Sequence, residues 1–265
     1  MKKVAITLTA VAALLLAFLM KARQYYGLAS RQPSYSCEHP SADTLRIAFI
    51  GDSWAFLHQP YDDSLALTVS LQTGHPVKVC SYGLCGMTSK EVYLSMFQDT
   101  SLRRLVSQGV HCCIVSVGIN DSYKKMSPDY YVYHTLLIAR LLIDNGITPV
   151  LMEIPCYDVA LAYERQTAIR KLLRRLSMLV TGSPIDCLAA YRQTLRSSLQ
   201  VQQLSSQVLL LPAMPADWSL WQPDRMHLNE KGYARLDACI ATILSNAQES
   251  VCPHPTSSSA GRESQ

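Results

Sequence analysis

Two separated groups of residues in this 265-residue chain carry the side chains that nucleophilic catalysis needs. Ser53 follows a glycine and an acid at the end of an apolar run, and Asp224 and His227 stand close together late in the sequence. A serine hydroxyl becomes a nucleophile when an imidazole takes its proton, and a carboxylate can fix the tautomer of that imidazole. One local turn can present Asp224 and His227 together. The residue types therefore predict acyl transfer, with Ser53 as nucleophile, His227 as base and Asp224 as its orienting group.

Acyl transfer also needs hydrogen-bond donors for the oxyanion that develops on the substrate. Gly86 lies in a glycine-containing exit from a second apolar run, and Asn120 follows a third. We expect the backbone N–H groups of Ser53 and Gly86 and the side-chain amide of Asn120 to form the oxyanion hole. Each feature alone has an ordinary structural explanation, such as a helix cap or a turn glycine. Their order and their places at element boundaries make the combination specific.

Alternating strands and helices are predicted to position these residues. The predicted strands are 45–50, 77–81, 111–117, 148–154 and 184–188, and the predicted helices are 62–73, 89–107, 129–144, 160–180 and 230–247, the last capped by Asn229. Residues 192–222 predict one more helix, the apolar patch 208–211 and a loop. This alternation predicts an α/β fold, a three-layer α/β/α sandwich around a five-stranded parallel sheet. The carboxyl ends of parallel strands meet at one edge, where Ser53, Gly86 and Asn120 would converge.

Four short motifs in this order resemble those of the SGNH or GDSL hydrolases. The motifs are Gly51-Asp52-Ser53, Leu84-Cys85-Gly86-Met87-Thr88, Gly118-Ile119-Asn120-Asp121 and Asp224-Arg225-Met226-His227-Leu228-Asn229. The resemblance covers residues 45–245. It implies a flavodoxin-like sandwich (the SGNH hydrolase fold), a serine esterase or lipase activity, no metal and no other cofactor.

The resemblance also assigns residues to roles. It places the catalytic triad at Ser53, Asp224 and His227, and the oxyanion hole at Ser53, Gly86 and Asn120. The sequence departs from the family pattern at three positions, none of which removes a catalytic group: Trp54, Ser81 and Ile119. A tryptophan directly after the nucleophile is expected to narrow the pocket.

Other histidines are weaker candidates for the base. His58 is near Ser53 in sequence but has no carboxylate placed to orient it, although two aspartates follow. His111 begins a strand at the opposite end of the sheet. The remaining ones are predicted to lie in loops or on the surface: His39, His75, His134 and His254.

Charge and cysteine content exclude some classes of function. The net charge of +4 arises from the first 31 residues, which hold five basic residues and no acid, so the rest of the chain is near neutral. A near-neutral domain lacks the excess of basic residues that is typical of nucleic-acid binding. The nine cysteines show no metal-ligand spacing. If the domain is exported, Cys80 and Cys85 are close enough in sequence to form a disulfide.

The ends of the chain differ in composition from its centre. Two lysines precede an uncharged run, residues 4–20, which is long enough to approach the lower limit for spanning a bilayer. We expect an N-terminal membrane anchor or signal peptide over 1–23, a linker over 24–44, the catalytic domain over 45–248 and a disordered tail over 249–265. Charged residues and tyrosines separate the run from the small residues near 27–29, which favours an uncleaved anchor. The catalytic domain is then expected outside the cytoplasm, and secreted if the N-terminus is cleaved.

The sequence therefore predicts a serine esterase that hydrolyses short acyl esters, acetyl above all, through an acyl-enzyme. Acetylated glycans of an envelope or of the diet are the expected partners, together with the membrane through the N-terminal helix, and no nucleic acid. Two alternatives remain. An O-acyltransferase would use the same residues to pass the acyl group to a glycan, and a non-catalytic glycan-binding domain would keep only the fold.

Overall fold

The computed structural model of the protein describes residues 13, 16, 17, 19–40, 43–182 and 184–247. At its centre is a sheet of five strands, all parallel, in the order β2-β1-β3-β4-β5. The strands are β1 (Leu45–Gly51), β2 (Val77–Gly83), β3 (Cys112–Ser116), β4 (Thr148–Met152) and β5 (Leu209–Leu211). The predicted α/β/α sandwich with a five-stranded parallel sheet is confirmed.

Helices cover both faces of this sheet. They are α1 (Ser53–His58), α2 (Asp62–Thr73), α3 (Ser89–Gln98), α4 (Thr100–Ser107), α5 (Ile119–Tyr123), α6 (Pro128–Asp144), α7 (Val159–Glu164), α8 (Ala168–Thr181), α9 (Leu188–Val201) and α10 (Glu230–Asn246). Helix α10 packs on α2, while α6 packs between α3 and α9. β3 is buried along its whole length, because both of its faces are covered.

The strand order places a topological switch at the centre of the sheet. The chain leaves β1 toward β2 on one side and then crosses to β3 on the other. In open α/β sheets the crevice beyond the carboxyl ends of the strands on either side of such a switch receives the ligand. The loops after β1 and β3 are therefore the expected location of a site.

Two predicted helices are each divided in the structure by a side chain that caps a new helix. The helix predicted over 89–107 breaks at Asp99, whose carboxylate accepts the Ser101 and Leu102 N–H groups at 2.9 and 3.0 Å. The helix predicted over 160–180 breaks before Thr167, whose hydroxyl accepts the Arg170 N–H at 3.4 Å. A capping side chain satisfies the N–H groups that a helix start leaves unpaired, which allows a second helix to begin there.

The predicted fifth strand over 184–188 is wrong. Ile185 is exposed there, and the Asp186 carboxylate accepts the Leu188 N–H at 3.1 Å, which turns the chain into α9. The fifth strand is instead β5, which pairs with β4 and lies in the apolar patch predicted over 208–211. The cause is a local hydrogen bond from an aspartate, which favours a turn over a strand.

The predicted N-terminal anchor over 1–23 lies largely outside the described residues, and the predicted tail over 249–265 and His254 lie wholly outside them. Within the described part of the chain, no helix has both the length and the apolar character needed to cross a membrane. Residues 19–26 are helical, and residues 28–40 have no regular secondary structure.

The segment 28–40 lies against the domain. The Ala29 N–H donates to His134 Nε2 at 3.0 Å, and the Gln32 N–H donates to the Tyr93 hydroxyl at 2.7 Å. His134 is thus buried on α6, and its predicted surface position is wrong. Among the cysteines that the structure describes, the suggested bridge is not formed, since Cys80 and Cys85 are both exposed free thiols.

Candidate active site

Ser53 is positioned by a close approach between the backbones of the neighbouring strands β1 and β3 at their carboxyl ends. The backbone of Gly51 has φ +149°, and a Cβ added there would lie 1.9 Å from the Ser116 carbonyl oxygen. Only glycine fits at this position, since a side chain would overlap the neighbouring backbone. The Asp52 N–H then donates to the same Ser116 oxygen at 2.9 Å, and α1 begins with Ser53 itself.

Asp52 holds the start of α1. Its Oδ1 accepts the Trp54 N–H at 3.0 Å and the Ser116 hydroxyl at 3.3 Å. Ser53 is the first residue of the helix, so its own N–H has no acceptor within the helix. Ser53 therefore presents both a hydroxyl and a backbone donor at the carboxyl edge of the sheet.

Asp224 and His227 are presented by one turn that the aspartate organises. Asp224 Oδ1 accepts the Met226 N–H at 2.9 Å and the His227 N–H at 3.1 Å, which closes the turn. Arg225 adopts φ +52° at its bend, and Gln222 N–H donates to the His227 carbonyl at 2.8 Å. The second carboxylate oxygen remains free for the imidazole.

The three predicted catalytic side chains form one chain of hydrogen bonds. Ser53 Oγ lies 2.9 Å from His227 Nε2, and His227 Nδ1 lies 2.6 Å from Asp224 Oδ2. Partial burial raises the pKa of Asp224, but the hydrogen bonds from Met226 and His227 outweigh it and hold that pKa below its usual range. An ionised Asp224 fixes the proton on Nδ1, so that Nε2 faces the hydroxyl as an acceptor.

Trp54 is hydrogen-bonded to the turn of residues 224–227, which we call the histidine turn. Its indole Nε1–H donates to the Met226 carbonyl at 3.0 Å, and its ring centroid lies 5.7 Å from that of Trp221 in an edge-to-face arrangement. The side chain is fully buried and does not line the cleft. The expectation that Trp54 narrows the pocket is therefore wrong, because its ring points into the core instead.

The two remaining oxyanion candidates lie in the same cleft as the triad. Gly86 has φ +77° at the exit from β2, where a left-handed turn brings its backbone to the cleft wall. Asn120 Nδ2 donates to Asp52 Oδ2 at 3.4 Å, and an amide nitrogen carries two hydrogens. The second hydrogen is thus left for a ligand. All five predicted site residues line one cleft.

Two buried acids behind the cleft are functional candidates that the sequence reasoning missed. Burial raises the pKa of Asp52 to about 7, against the opposing hydrogen bonds from Trp54 and Ser116. Asp121 accepts both the N–H and the hydroxyl of Ser89, at 2.8 and 2.7 Å, which ties α5 to α3. Both acids stand in the quoted motifs, yet only the fold shows that they fix the positions of Asn120 and Ser53.

The cleft has a volume of about 450 Å³. Its lining is Ser53, Phe56, Leu57, Cys85, Gly86, Asn120, Tyr123, Ala162, Arg165, Asp224, Met226 and His227. Phe56, Tyr123 and Arg165 were not predicted. Phe56 and Tyr123 each stand three residues after a predicted site residue on the same helix, and Arg165 follows α7, which only the tertiary fold brings to the site. A larger cavity of about 930 Å³ contains none of the predicted site residues.

The alternative bases are excluded by their surroundings. His58 is fully buried, with Nε2 2.9 Å from Asp237 Oδ1 and Nδ1 3.0 Å from Asp62 Oδ1. Carboxylates do orient it, contrary to the expectation from sequence, but they hold it inside the core and away from the cleft. His111 Nδ1 accepts the Arg46 N–H at 3.0 Å at the amino end of the sheet, as predicted.

Comparison with solved structures places this fold among those of known hydrolases. A GDSL-like lipase from Bacteroides thetaiotaomicron superimposes with a TM-score of 0.53 at 13% identity, covering 79% of this chain and 92% of the lipase. TesA superimposes with a TM-score of 0.52 at 14% identity, covering 75% and 97%. No protein-family model matches the sequence, and no curated protein matches it either.

This likeness shows that the chain has the fold of the SGNH or GDSL hydrolases, as the motifs implied. The fold and the site together define the class: an α/β/α sandwich with a Ser-His-Asp hydrogen-bond chain at its switch point.

Proposed function

We propose that this protein is a serine esterase that hydrolyses short acyl esters. The observation that carries the proposal is the continuous hydrogen-bond chain from Ser53 through His227 to Asp224, opening on a cleft that also holds Gly86 and Asn120. These are the four components that acyl transfer needs: nucleophile, base, orienting group and oxyanion donors.

In the first half-reaction, Ser53 Oγ attacks the ester carbonyl carbon while its proton passes to His227 Nε2. The negative charge moves to the carbonyl oxygen, and we expect the Ser53 and Gly86 N–H groups and the Asn120 amide to donate hydrogen bonds to it. The tetrahedral intermediate then collapses, the bond to the alcohol oxygen breaks, and His227 gives that oxygen its proton. The products are a free alcohol and an acyl group bonded to Ser53.

The second half-reaction repeats these steps with water. His227 Nε2 takes a proton from the water, whose oxygen attacks the acyl carbon, and the bond to Ser53 Oγ breaks as the proton returns to it. The free acid is released. Asp224 remains ionised throughout, and its contact with Nδ1 stabilises the imidazolium that forms twice in each turnover.

The cleft supports a small substrate. Its volume of about 450 Å³ lies at the lower end of the range for small-molecule sites, about 300–1,000 Å³. We therefore propose acetyl and other short acyl groups as the transferred part. We extend the proposal to acetylated glycans outside the cytoplasm, because the apolar run in the sequence favours export, and Tyr123 and Arg165 at the cleft offer a ring and a guanidinium to a polar alcohol.

The proposal is tested by labelling the full chain with a fluorophosphonate, which traps a serine activated as a nucleophile. We expect one label per chain, located on Ser53 by mass spectrometry and absent from Ser53→Ala. His39→Ala, at an exposed histidine, is the control and should label as the wild type does, whereas His227→Ala should not. A folded wild-type chain that takes no label would contradict catalysis and favour the non-catalytic binding domain.

Substrate preference is tested with aryl esters of increasing acyl length and with an acetylated glycan. We expect kcat/KM to be highest for acetate and to fall for longer chains. The product also separates hydrolase from transferase: a hydrolase releases acetate whether or not a glycan acceptor is present, and a transferase moves the acetyl group onto the acceptor. Faster turnover of long-chain esters would contradict the short-acyl proposal.

A further inference from the structure

Helix α8 presents its apolar side chains to solvent. Five large apolar residues that recur at helical spacing are 46–81% exposed: Ile169, Leu172, Leu173, Leu176 and Leu179. Residues spaced by three and four share one side of a helix. We refer to this set as the apolar face of α8.

The opposite, polar side of α8 holds the helix on the domain. Thr181 Oγ1 donates to the Lys125 carbonyl at 3.0 Å, and Arg174 Nη1 donates to the Lys124 carbonyl at 3.4 Å. The Arg174 guanidinium also lies over the ring of Tyr123, 5.4 Å from its centroid. A surface helix normally buries its apolar side and exposes its polar one. α8 does the reverse, and in the part of the chain that the structure describes its apolar side stays exposed, which favours contact with an apolar phase.

The charges on α8 indicate what that phase is. The helix carries four basic residues and no acid. Arg170 is three residues before Leu173 and Arg175 is four before Leu179, so the two exposed arginines flank opposite edges of the apolar face. Apolar side chains bordered by arginines are the pattern of a helix that lies in a membrane interface and contacts anionic headgroups.

A second apolar segment meets the same helix. The hydroxyl groups of Tyr26 and Ser177 are hydrogen-bonded, which joins the helical segment 19–26 to α8. That segment follows the uncharged run over 4–20, and its described residues Leu19 and Met20 are exposed. The part of the sequence with the strongest apolar character is thus attached to the helix that exposes an apolar face.

A second copy of the chain would fit this face less well. Pairing two apolar faces of α8 would bring Arg170 and Arg175 of one copy near the same arginines of the other, and like charges repel. An anionic bilayer receives the leucines and the arginines together, without that conflict.

We propose that the apolar face of α8 inserts into the surface of a lipid bilayer that carries anionic headgroups, with the helix axis parallel to the membrane. A helix of 14 residues extends about 21 Å, which is too short to cross a bilayer. Through Arg174 the helix contacts Tyr123, a residue of the catalytic cleft, so docking holds the cleft close to the lipid. The proposal does not depend on the esterase activity.

The test measures the depth of one side chain, because the N-terminal run can hold the full chain on a vesicle by itself. Leu172→Trp is introduced into the full chain, which is reconstituted with vesicles of phosphatidylcholine and phosphatidylglycerol. Replacing the lipids with brominated ones quenches tryptophan that lies among the acyl chains. We expect the added tryptophan to be quenched at least about twofold more than the native tryptophans of the wild type.

Leu71→Trp on α2 is the matched control, since Leu71 is 77% exposed and Leu172 is 59% exposed. We expect no added quenching at residue 71. Arg170→Glu combined with Arg175→Glu should lower the quenching at residue 172, and lower it most in the vesicles richest in phosphatidylglycerol.

Equal quenching at residues 172 and 71 on vesicles that carry the protein would overturn the proposal. So would the absence of any vesicle binding. A third outcome would also overturn it: a dimer in sedimentation that Leu172→Ser and Leu179→Ser together dissociate, with no quenching by brominated lipid, would show that a second copy covers the face.

Discussion

Asp224 performs two tasks, one at each carboxylate oxygen. Oδ1 accepts the Met226 and His227 N–H groups and so closes the turn, while Oδ2 accepts the imidazole N–H. An asparagine keeps a carbonyl oxygen for the turn but places an NH₂ group against Nδ1. The geometry of the site and the electrostatics of the imidazole can therefore be separated by substitution.

We expect Asp224→Asn to fold normally and to lose kcat on an aryl acetate by a factor on the order of 10²–10⁴, because the imidazole adopts the wrong tautomer. Asp224→Ala should lose the same activity and also about 1–3 kcal/mol of unfolding free energy, because two turn N–H groups lose their acceptor. Steady-state kinetics and urea unfolding measure the two effects. If Asp224→Asn kept the wild-type kcat, Asp224 would not be a catalytic residue.

Substitution of Trp54 tests whether its hydrogen bond to the histidine turn is needed to keep His227 in place for catalysis. Trp54→Phe keeps the buried ring but removes the hydrogen bond to the Met226 carbonyl. We expect a loss of about 1 kcal/mol of unfolding free energy and a fall of about tenfold in kcat, since His227 moves relative to Ser53.

Trp221→Phe is the control for Trp54→Phe. Trp221 is also buried, and its Nε1–H donates to the Pro215 carbonyl at 3.0 Å, outside the histidine turn. It should lose similar stability and keep kcat. If both variants lose kcat equally, the effect is general loosening of the core and not a displaced turn.

At the scale of the elements, the exit of β1 depends on one glycine. Gly51 and Gly74 both have positive φ, but an added Cβ at residue 51 would overlap the Ser116 carbonyl, whereas at residue 74 it would meet nothing within 4 Å. Gly74→Ala should cost about 1–2 kcal/mol from backbone strain alone. We expect Gly51→Ala to cost several times more or to prevent folding, as urea unfolding would show. Equal costs would mean that β1 and β3 separate easily at this end.

His58 joins three helices through ion pairs with two aspartates. It lies on α1 between Asp62 of α2 and Asp237 of α10. Burial lowers its pKa, but the hydrogen bonds and charges of the two carboxylates outweigh this and leave the pKa above its ordinary value of 6.5. A raised pKa in the folded state means that the stabilisation is complete below pH 6.5 and is lost as the pH rises through the folded pKa.

We therefore expect the difference in unfolding free energy between the wild type and His58→Gln to be largest below pH 6.5 and to shrink as the pH rises through the folded pKa. Urea unfolding across this range measures it. A difference that grows with pH would show that His58 is neutral in the folded protein. Activity is not expected to follow this change, because His58 lies outside the cleft.

Local pattern was enough to predict the four long strands and the cap of α10 at Asn229. It failed where a single side chain redirects the backbone, as Asp99 and Thr167 do in starting new helices and Asp186 does in turning away from a strand. The hydrogen-bonded arrangement of Ser53, His227 and Asp224 was predictable because these residues stand in short motifs. The roles of Asp52 and Asp121 were not, because their effect depends on burial and on partners from distant elements.

At the scale of the whole molecule, the segment 28–40 forms part of the domain. Tyr35 and Ala29 are buried with the core, and the Ala29 N–H is held by His134. Burial lowers the pKa of His134 to about 4, so the ring is neutral at neutral pH and its Nε2 is an acceptor. Residues 28–40 have the composition of a linker, but they pack against α6 as part of the domain.

A chain of residues 28–265 should be more stable than one of residues 41–265 by about 2–4 kcal/mol near pH 7, because the shorter chain exposes the surface under Tyr35 and opens His134 to water. The pKa of His134 is depressed on folding, so its stabilisation is present above pH 6.5 and is lost as the pH falls through about 4. The advantage of the longer chain should therefore shrink in acid, and His134→Gln in the longer chain should remove that pH dependence. Urea unfolding of both chains between about pH 4 and pH 7 measures this. Equal stability of the two chains at neutral pH would show that residues 28–40 rest on the domain without contributing to its folding.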